Sequence, residues 1–458
     1  MRSVFDLQRS AFDAAPYPNL QSRKDNLRKL IDALRRRQND IVAAVSEDFG
    51  VRSENETKMV EVMGPILEAR HALSHMRRWM KPRRRSTELL FKTNSAWIEY
   101  QPKGVVGIIG TWNFPVYLTL GPLIAALAAG NRAMLKASEL SPHTTAVLAS
   151  MLAECFAENE VAIFGGDVAA AQAFGSLPFH HLIFTGSPRV GREVMRSAAE
   201  NLTPVTLELG GKSPAIVGPH ADLRDAALRI AHGKAFNAGQ ICVAPDYALV
   251  PRGKSAEFAA AVRDAFNHLY PTVGGNAQYT SIISDRHAAR IGELLDDASA
   301  RGATILRCGD GAGRQIPLHV VTNLNSGMRI MREEIFGPIL PVLEYDGLDE
   351  AIALIRAGER PLSLYAFDLR GGEQERILKQ THAGGVTLND WGWHVFQHDL
   401  PFGGIGNSGM GSYHGEEGFR ELSHGKPVFK RRPWFPIGLF YPPYGNLVQR
   451  LSMWFYLG

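Results

Sequence analysis

Hydrophobic and polar positions follow two different periods along this chain. Over residues 1–80 the spacing is helical: Ile31, Leu34, Ile41, Val42 and Val45 recur among charged residues, as on helices with one buried face. From Gly104 the pattern changes. Val105-Val106-Gly107-Ile108-Ile109-Gly110 is a short apolar run bounded by glycines, which predicts a buried strand. Tyr117 to Ala129 reads as a helix stopped by Gly130-Asn131, and Arg132 to Lys136 as a second strand. A further helix opens after Ser141-Pro142, a serine cap with proline in the first turn. Val161 to Phe164 and His181 to Phe184 repeat the strand signal. Alternating helix and strand predicts a parallel sheet with helices on both faces. The alternation resumes after Glu208, with a strand at 215–217, a helix from Ala221 to Ala238 and a strand at 247–250. A second α/β lobe follows, with the boundary near 205–212. No internal repeat or low-complexity segment is visible.

Length supports two lobes, since 458 residues exceed one small core. A hydrophobic content of 45%, a charged content of 21% and a net charge of +4 are ordinary for a globular protein and point to no special partner. Three cysteines, Cys155, Cys242 and Cys308, are odd in number and lack metal-type spacing. That excludes a disulfide framework and predicts a reducing, cytoplasmic setting without a metal. The N-terminus has no signal-peptide core, and no run of roughly 18–20 apolar residues predicts a membrane-spanning helix. The basic run Arg77 to Arg85, broken by Pro82, could meet an anion or nucleic acid. A solvated crossing between elements is the preferred reading, so no nucleic-acid partner is expected.

Several short motifs carry candidate chemistry. Phe184-Thr185-Gly186-Ser187-Pro188-Arg189-Val190-Gly191 ends a strand and opens a helix, where unpaired N–H groups can meet a phosphate. Lys136-Ala137-Ser138-Glu139 follows a strand end, where ligands of open α/β sheets bind. Asn113, in Thr111-Trp112-Asn113-Phe114-Pro115, could donate its amide to an oxyanion or merely cap a turn. Cys242 follows Gly239-Gln240-Ile241 near the end of a helix; it is either a reactive thiol or an inert small hydrophobe. Glu208 precedes two glycines and is either a general base or a surface carboxylate. Arg332-Glu333-Glu334-Ile335-Phe336-Gly337-Pro338 can present Glu334 and Phe336 to one site. Pro401 to Gly411 looks like a flexible phosphate loop but lacks the lysine of a P-loop.

Together these motifs resemble the aldehyde dehydrogenase superfamily. Glu-Leu-Gly-Gly-Lys-Ser-Pro at 208–214, Gly-Gln-Ile-Cys at 239–242 and Glu-Glu-Ile-Phe-Gly-Pro at 333–338 occur in order. The likeness covers about residues 20 to 426. Residues 202–206, 242–247 and 406–415 resemble the class 3 and fatty-aldehyde branch, above all the bacterial coniferyl-aldehyde dehydrogenases. The resemblance implies an α/β fold of two Rossmann-like parallel-sheet lobes plus a small oligomerisation arm. Residues 1–80 and 103–207 would bind NAD(P), 208–397 would be catalytic, and 81–102 with 398–426 would form the arm. It implies Cys242 as nucleophile, Glu208 as general base and Asn113 as oxyanion donor. Lys136 and Glu139 would hold the adenosine ribose. Gly186, Ser187 and Gly191 would frame the pyrophosphate, and Leu209 would also belong to the cofactor site. Glu334 would hold the nicotinamide ribose, with Phe336 beside the ring. Phe402 would line a substrate tunnel, with Tyr117, Trp391 and Trp393 as nearby aromatics. Ala137 departs from the family's proline and is expected to loosen its loop.

The expected reaction is oxidation of an aromatic or long-chain aldehyde to its acid. NAD is the favoured cofactor and NADP the alternative. Transfer of the thioester to coenzyme A is a second enzymatic reading, opposed by Glu208. A non-catalytic protein on the same scaffold is the third. Homodimers are expected. Residues 427–458 form a basic, aromatic tail without an acidic residue. It suits a membrane interface, but packing against the body of a dimer is preferred.

Overall fold

Two parallel sheets carry the molecule. The computed structural model describes all residues, Met1–Gly458. The first sheet runs in the order Gly409–Met410, Val205–Leu209, His181–Gly186, Val105–Ile109, Arg132–Lys136, Val161–Phe164. Its strands are parallel except Gly409–Met410, which pairs antiparallel with Val205–Leu209. The second has seven strands: Thr304–Arg307, His319–Thr322, Ile339–Tyr345, Tyr247–Pro251, Pro214–Val217, Ser363–Phe367 and Gly385–Leu388. Only the Thr304–Arg307 edge is antiparallel. Strands such as Val105–Ile109 and Ser363–Phe367 are buried along their whole length. That explains why they read as apolar runs rather than alternating ones.

The expected helices over 1–80 are Arg2–Ala14, Leu20–Arg36, Gln38–Phe49, Glu54–Thr57 and Gly64–Trp79, with a π-turn at Lys58–Met63. Tyr117–Ala129 is a helix as predicted, buried at every residue and closed by Gly130 in the left-handed region. A helix apolar all round belongs inside a protein. Three expectations are corrected. The helix after Glu208 is Leu223–Ala235, because Asn237 and Ala238 take left-handed backbone conformations that end it. Ser141 makes no side-chain cap for the helix Pro142–Cys155. Asp48 caps it from another helix, accepting from the N–H groups of His143 (3.0 Å) and Thr144 (2.9 Å).

Segment 398–426 was expected in the arm. Most of it stays with the large unit instead: Gly409–Met410 completes the first sheet, and Gly415–Glu421 packs on Tyr117–Ala129. The chain divides into Met1–Trp79 with Pro102–Ser423, and Met80–Gln101 with His424–Gly458. The smaller unit holds a three-stranded sheet in the order Arg83–Arg85, Ser95–Pro102, Ser423–Lys430. The basic run is thus partly an exposed strand. Phe91 gathers Phe429, Phe435 and Phe440 within 6.0 Å, ring centre to ring centre. The tail ends in the helix Leu447–Leu457, which has no buried residue. No helix is long and apolar enough to cross a membrane.

Candidate active site

Glu208, on the first sheet, lies close enough to Cys242 to act on its thiol electrostatically. Glu208 sits on the strand Val205–Leu209 of the first sheet, paired with Gly409. Only glycine fits at 409, because a Cβ there would lie 2.0 Å from the Leu207 carbonyl oxygen. Glu208 is 3% exposed, and neither carboxylate oxygen has a hydrogen-bond partner. Burial therefore pushes its pKa well above the ordinary carboxylate value. It is not the surface carboxylate of the alternative reading.

Cys242 lies in the loop past the turn Phe236–Gly239 and is half-buried. Burial pushes its thiol up to about 12, with Glu334 and Glu208 adding to the push. Both carboxyls are raised themselves, so burial dominates near neutral pH. Asn113, 2% exposed, donates from Nδ2 to the Gln240 carbonyl (3.1 Å), two residues before Cys242. Its own carbonyl accepts from Arg52 (2.9 Å) and Asn237 (3.1 Å).

Cys242 opens into a cavity walled by apolar and aromatic side chains. Tyr117, Trp391 and Phe402 line it, and so do Phe114, Phe236 and Phe396. Trp393 does not, being 51% exposed. Trp391 is held from behind by its indole N–H on His232 (3.0 Å).

A second group of predicted residues borders the carboxyl edge of the first sheet. Lys136 donates from Nζ to the carbonyls of Ala137 (2.7 Å) and Gly166 (2.8 Å), leaving a third N–H free for a ligand. Burial lowers its pKa, opposed by Glu139 and Asp167 nearby. Glu139 is exposed. The loop is not loosened by Ala137: its N–H, which proline lacks, donates to the Phe164 carbonyl (3.0 Å). Ser187 caps the helix Pro188–Ala199, just past Gly186. Gly191 lets this helix pack on Leu209, whose side chain a Cβ would meet at 2.8 Å. The Pro401 to Gly411 segment is not a flexible phosphate loop. It is tied to the sheet through the Gly409–Met410 pairing and the bond from Leu209 N–H to Ser408 (3.0 Å).

Glu334 lies against Gly210, where a Cβ would clash with both carboxylate oxygens. Its Oε1 is buried without a partner, and burial raises its pKa to about 8. Phe336, at φ +51°, stands edge-on to Trp112 at 5.4 Å. Residues without an assigned role pin this loop. Lys212 pairs with Asp246 and donates to the carbonyls of Ile330 (2.7 Å) and Glu333 (2.9 Å). Asp246 accepts from Ile335 N–H (3.0 Å), and Arg290 donates to the carbonyls of Glu334 and Ile335 (both 2.7 Å). Lys212 and Asp246 fell inside the recognised motifs, whereas Arg290 carried no local signal.

The aldehyde dehydrogenase family profile matches residues 2–428, and the chain belongs to that family. It is an oxidoreductase acting on aldehydes. It is similar to the probable coniferyl aldehyde dehydrogenase of Pseudomonas aeruginosa, 46% identical over 452 residues, 98% of this chain and 95% of that one. Among solved structures it is similar to a substrate-bound Staphylococcus aureus AldH, with TM-score 0.94, 35% identity and 99% of both chains covered. A betaine aldehyde dehydrogenase of Staphylococcus aureus in complex with NAD+ superposes with TM-score 0.84 and 26% identity, over 93% of this chain and 86% of that one.

Proposed function

We propose that this protein oxidises aromatic aldehydes, coniferaldehyde among them, to carboxylic acids with NAD. The observation that carries the reading is Cys242 at the foot of an aromatic-walled cavity, within electrostatic reach of the buried, unpartnered Glu208. A flat aromatic aldehyde suits such walls. The name of the Pseudomonas aeruginosa relative supports coniferaldehyde.

The residues present fit a dinucleotide. The orphaned Oε1 of Glu334 and the spare N–H of Lys136 match ribose hydroxyls, and the helix opening at Pro188 matches a pyrophosphate. The NAD+ complex of the betaine enzyme supports NAD, and Glu139 would repel a 2′-phosphate. Residues 1–80 with 103–207 would be the cofactor lobe and 208–397 the catalytic lobe. When bound, the nicotinamide supplies the hydride acceptor. Within the protein, the Cys242 thiol, kept protonated by burial, gives its proton to water as its sulfur attacks the carbonyl carbon. Asn113 and the Cys242 backbone N–H hold the oxyanion, and loss of one such donor costs about 10²–10³ in rate. Hydride loss leaves a thioester on Cys242. Glu208 takes a proton from water, which attacks the thioester and releases the acid and the thiol. We place the protein in the cytoplasm on its three free cysteines. We also read it as a homodimer, supported by the helix Leu447–Leu457, which has no buried residue.

The test follows reduced nicotinamide and acid product with coniferaldehyde, benzaldehyde and a medium-chain alkanal, for wild type and Cys242→Ala, with NAD or NADP. Turnover with the aromatic substrates, lost in Cys242→Ala, is expected. A clear preference for the alkanal would overturn the substrate assignment.

A further inference from the structure

Arg52 has no place in the reaction above, yet it is buried completely at the back of the oxyanion site. Its side chain has 0% exposure. It lies in the short link between Gln38–Phe49 and Glu54–Thr57. The guanidinium sits between two aromatic rings, 4.7 Å from the centre of Phe49 and 4.8 Å from that of Phe114. Planar stacking of this kind suits arginine and not lysine. From that slot Nη1 donates to the main-chain carbonyl of Asn113 at 2.9 Å and lies 3.3 Å from Glu61 Oε1. The other oxygen of Glu61 accepts from the N–H groups of Val116 (3.0 Å) and Tyr117 (2.8 Å), at the start of the helix after Asn113.

The same carbonyl has a second donor. Asn237 Nδ2 reaches it at 3.1 Å and also reaches the Gln240 carbonyl at 3.1 Å. The main chain of Asn237 is held in turn by Glu56, which accepts from its N–H at 3.2 Å. The Asn113 side chain closes the ring on that same Gln240 carbonyl. One carbonyl therefore receives two buried donors, one of them charged, while the side chain of the same residue spends one N–H on the cysteine loop. An oxyanion hole works only if its donor is fixed before charge develops. Burying a guanidinium is costly, and its charge must be offset by close partners. Both neighbouring carboxyls answer that need, and burial holds Glu61 at about 6 and Glu56 at about 7.

We propose that Arg52 is a positioning residue for oxyanion stabilisation: it clamps the Asn113 main chain so that the free amide N–H stays aimed at the carbonyl oxygen of the substrate on Cys242. The inference rests on the aldehyde-oxidation reading and on Asn113 as the oxyanion donor. Removing the clamp leaves Asn113 in place but mobile. A shift of about 1 Å at such a site costs roughly 10² in rate.

The test is a double-mutant cycle on aldehyde kcat/KM with Arg52→Met, Asn113→Ala and the pair. Arg52→Met alone should lower kcat roughly 10²-fold while leaving the KM for NAD within about two-fold. In the Asn113→Ala background the same change should alter kcat by less than about three-fold, because the donor it positions is gone. Arg52→Lys keeps the charge but not the stack and should fall between wild type and Arg52→Met. If Arg52→Met does not fold, Asn237→Ala removes the second donor to the same carbonyl and enters the same cycle without burying an unpaired charge. Equal fold-losses in both backgrounds would overturn the proposal, as would an unchanged rate in Arg52→Met. A wild-type rate in Asn113→Ala would instead sink the oxyanion assignment beneath it.

Discussion

Glu208 shows how one residue can set both a rate and a stability. Its carboxylate gains nothing from the folded protein: it is buried, unpartnered and pushed well above the usual carboxylate pKa. The folded state therefore binds a proton at a pH where the unfolded chain has released it. Stability is fully present below the unfolded value and is lost as pH rises toward the folded one. The gap in melting temperature between Glu208→Gln and wild type should thus shift in favour of the variant from pH 5 to pH 8. A pH-independent gap would contradict the buried, unpaired carboxyl. In wild type, kcat should rise with pH as the base loses its proton. Glu208→Gln should lower kcat roughly 10²–10⁴-fold and flatten that rise, while still giving a burst of reduced nicotinamide in the first turnover.

At the scale of elements, helix starts and loop shapes are set by partners far along the chain. The helix Pro142–Cys155 begins on Asp48, which accepts from two of its first N–H groups and from Thr144 Oγ1 (2.6 Å). Asp48→Ala should cost about 0.5–2 kcal/mol in urea unfolding. Ser141→Ala should cost much less, because that hydroxyl donates only to the Ser138 carbonyl at 3.4 Å. Equal losses would show that the local serine is the cap after all. The loop from Glu333 to Gly337 obeys the same logic, held by Lys212, Asp246 and Arg290 rather than by its own residues.

At the scale of the whole molecule, the tail remains exposed in a single chain. Leu451, Trp454 and Phe455 of the helix Leu447–Leu457 are 55%, 73% and 65% exposed. Large exposed apolar surface marks an interaction site. A dimer of the 50.3 kDa chain should appear in light scattering at twice that mass. Deleting residues 431–458 should weaken that dimer and leave binding to anionic vesicles unchanged. Vesicle binding that disappears with the tail would assign this surface to the membrane.

Much of the molecule was legible in residue spacing. Tyr117–Ala129 and Arg132–Lys136 were read to the residue, because a wholly apolar helix and a short buried strand leave unambiguous runs between glycines. Cys242, Glu208 and Glu334 stood out because their motifs are local in sequence. What spacing could not carry was anything decided by distant partners. The end of Leu223–Ala235 depends on Asn237 turning left-handed to reach Asn113. The place of Gly409–Met410 depends on an edge of the first sheet, which drew segment 398–423 away from the expected arm. Arg52 carries no local signal in the sequence, because Phe49, Phe114 and Glu61 close around it only in the fold. A charge becomes part of a site when folding removes its water and supplies its partners, and one of those partners, Phe114, lies far along the chain.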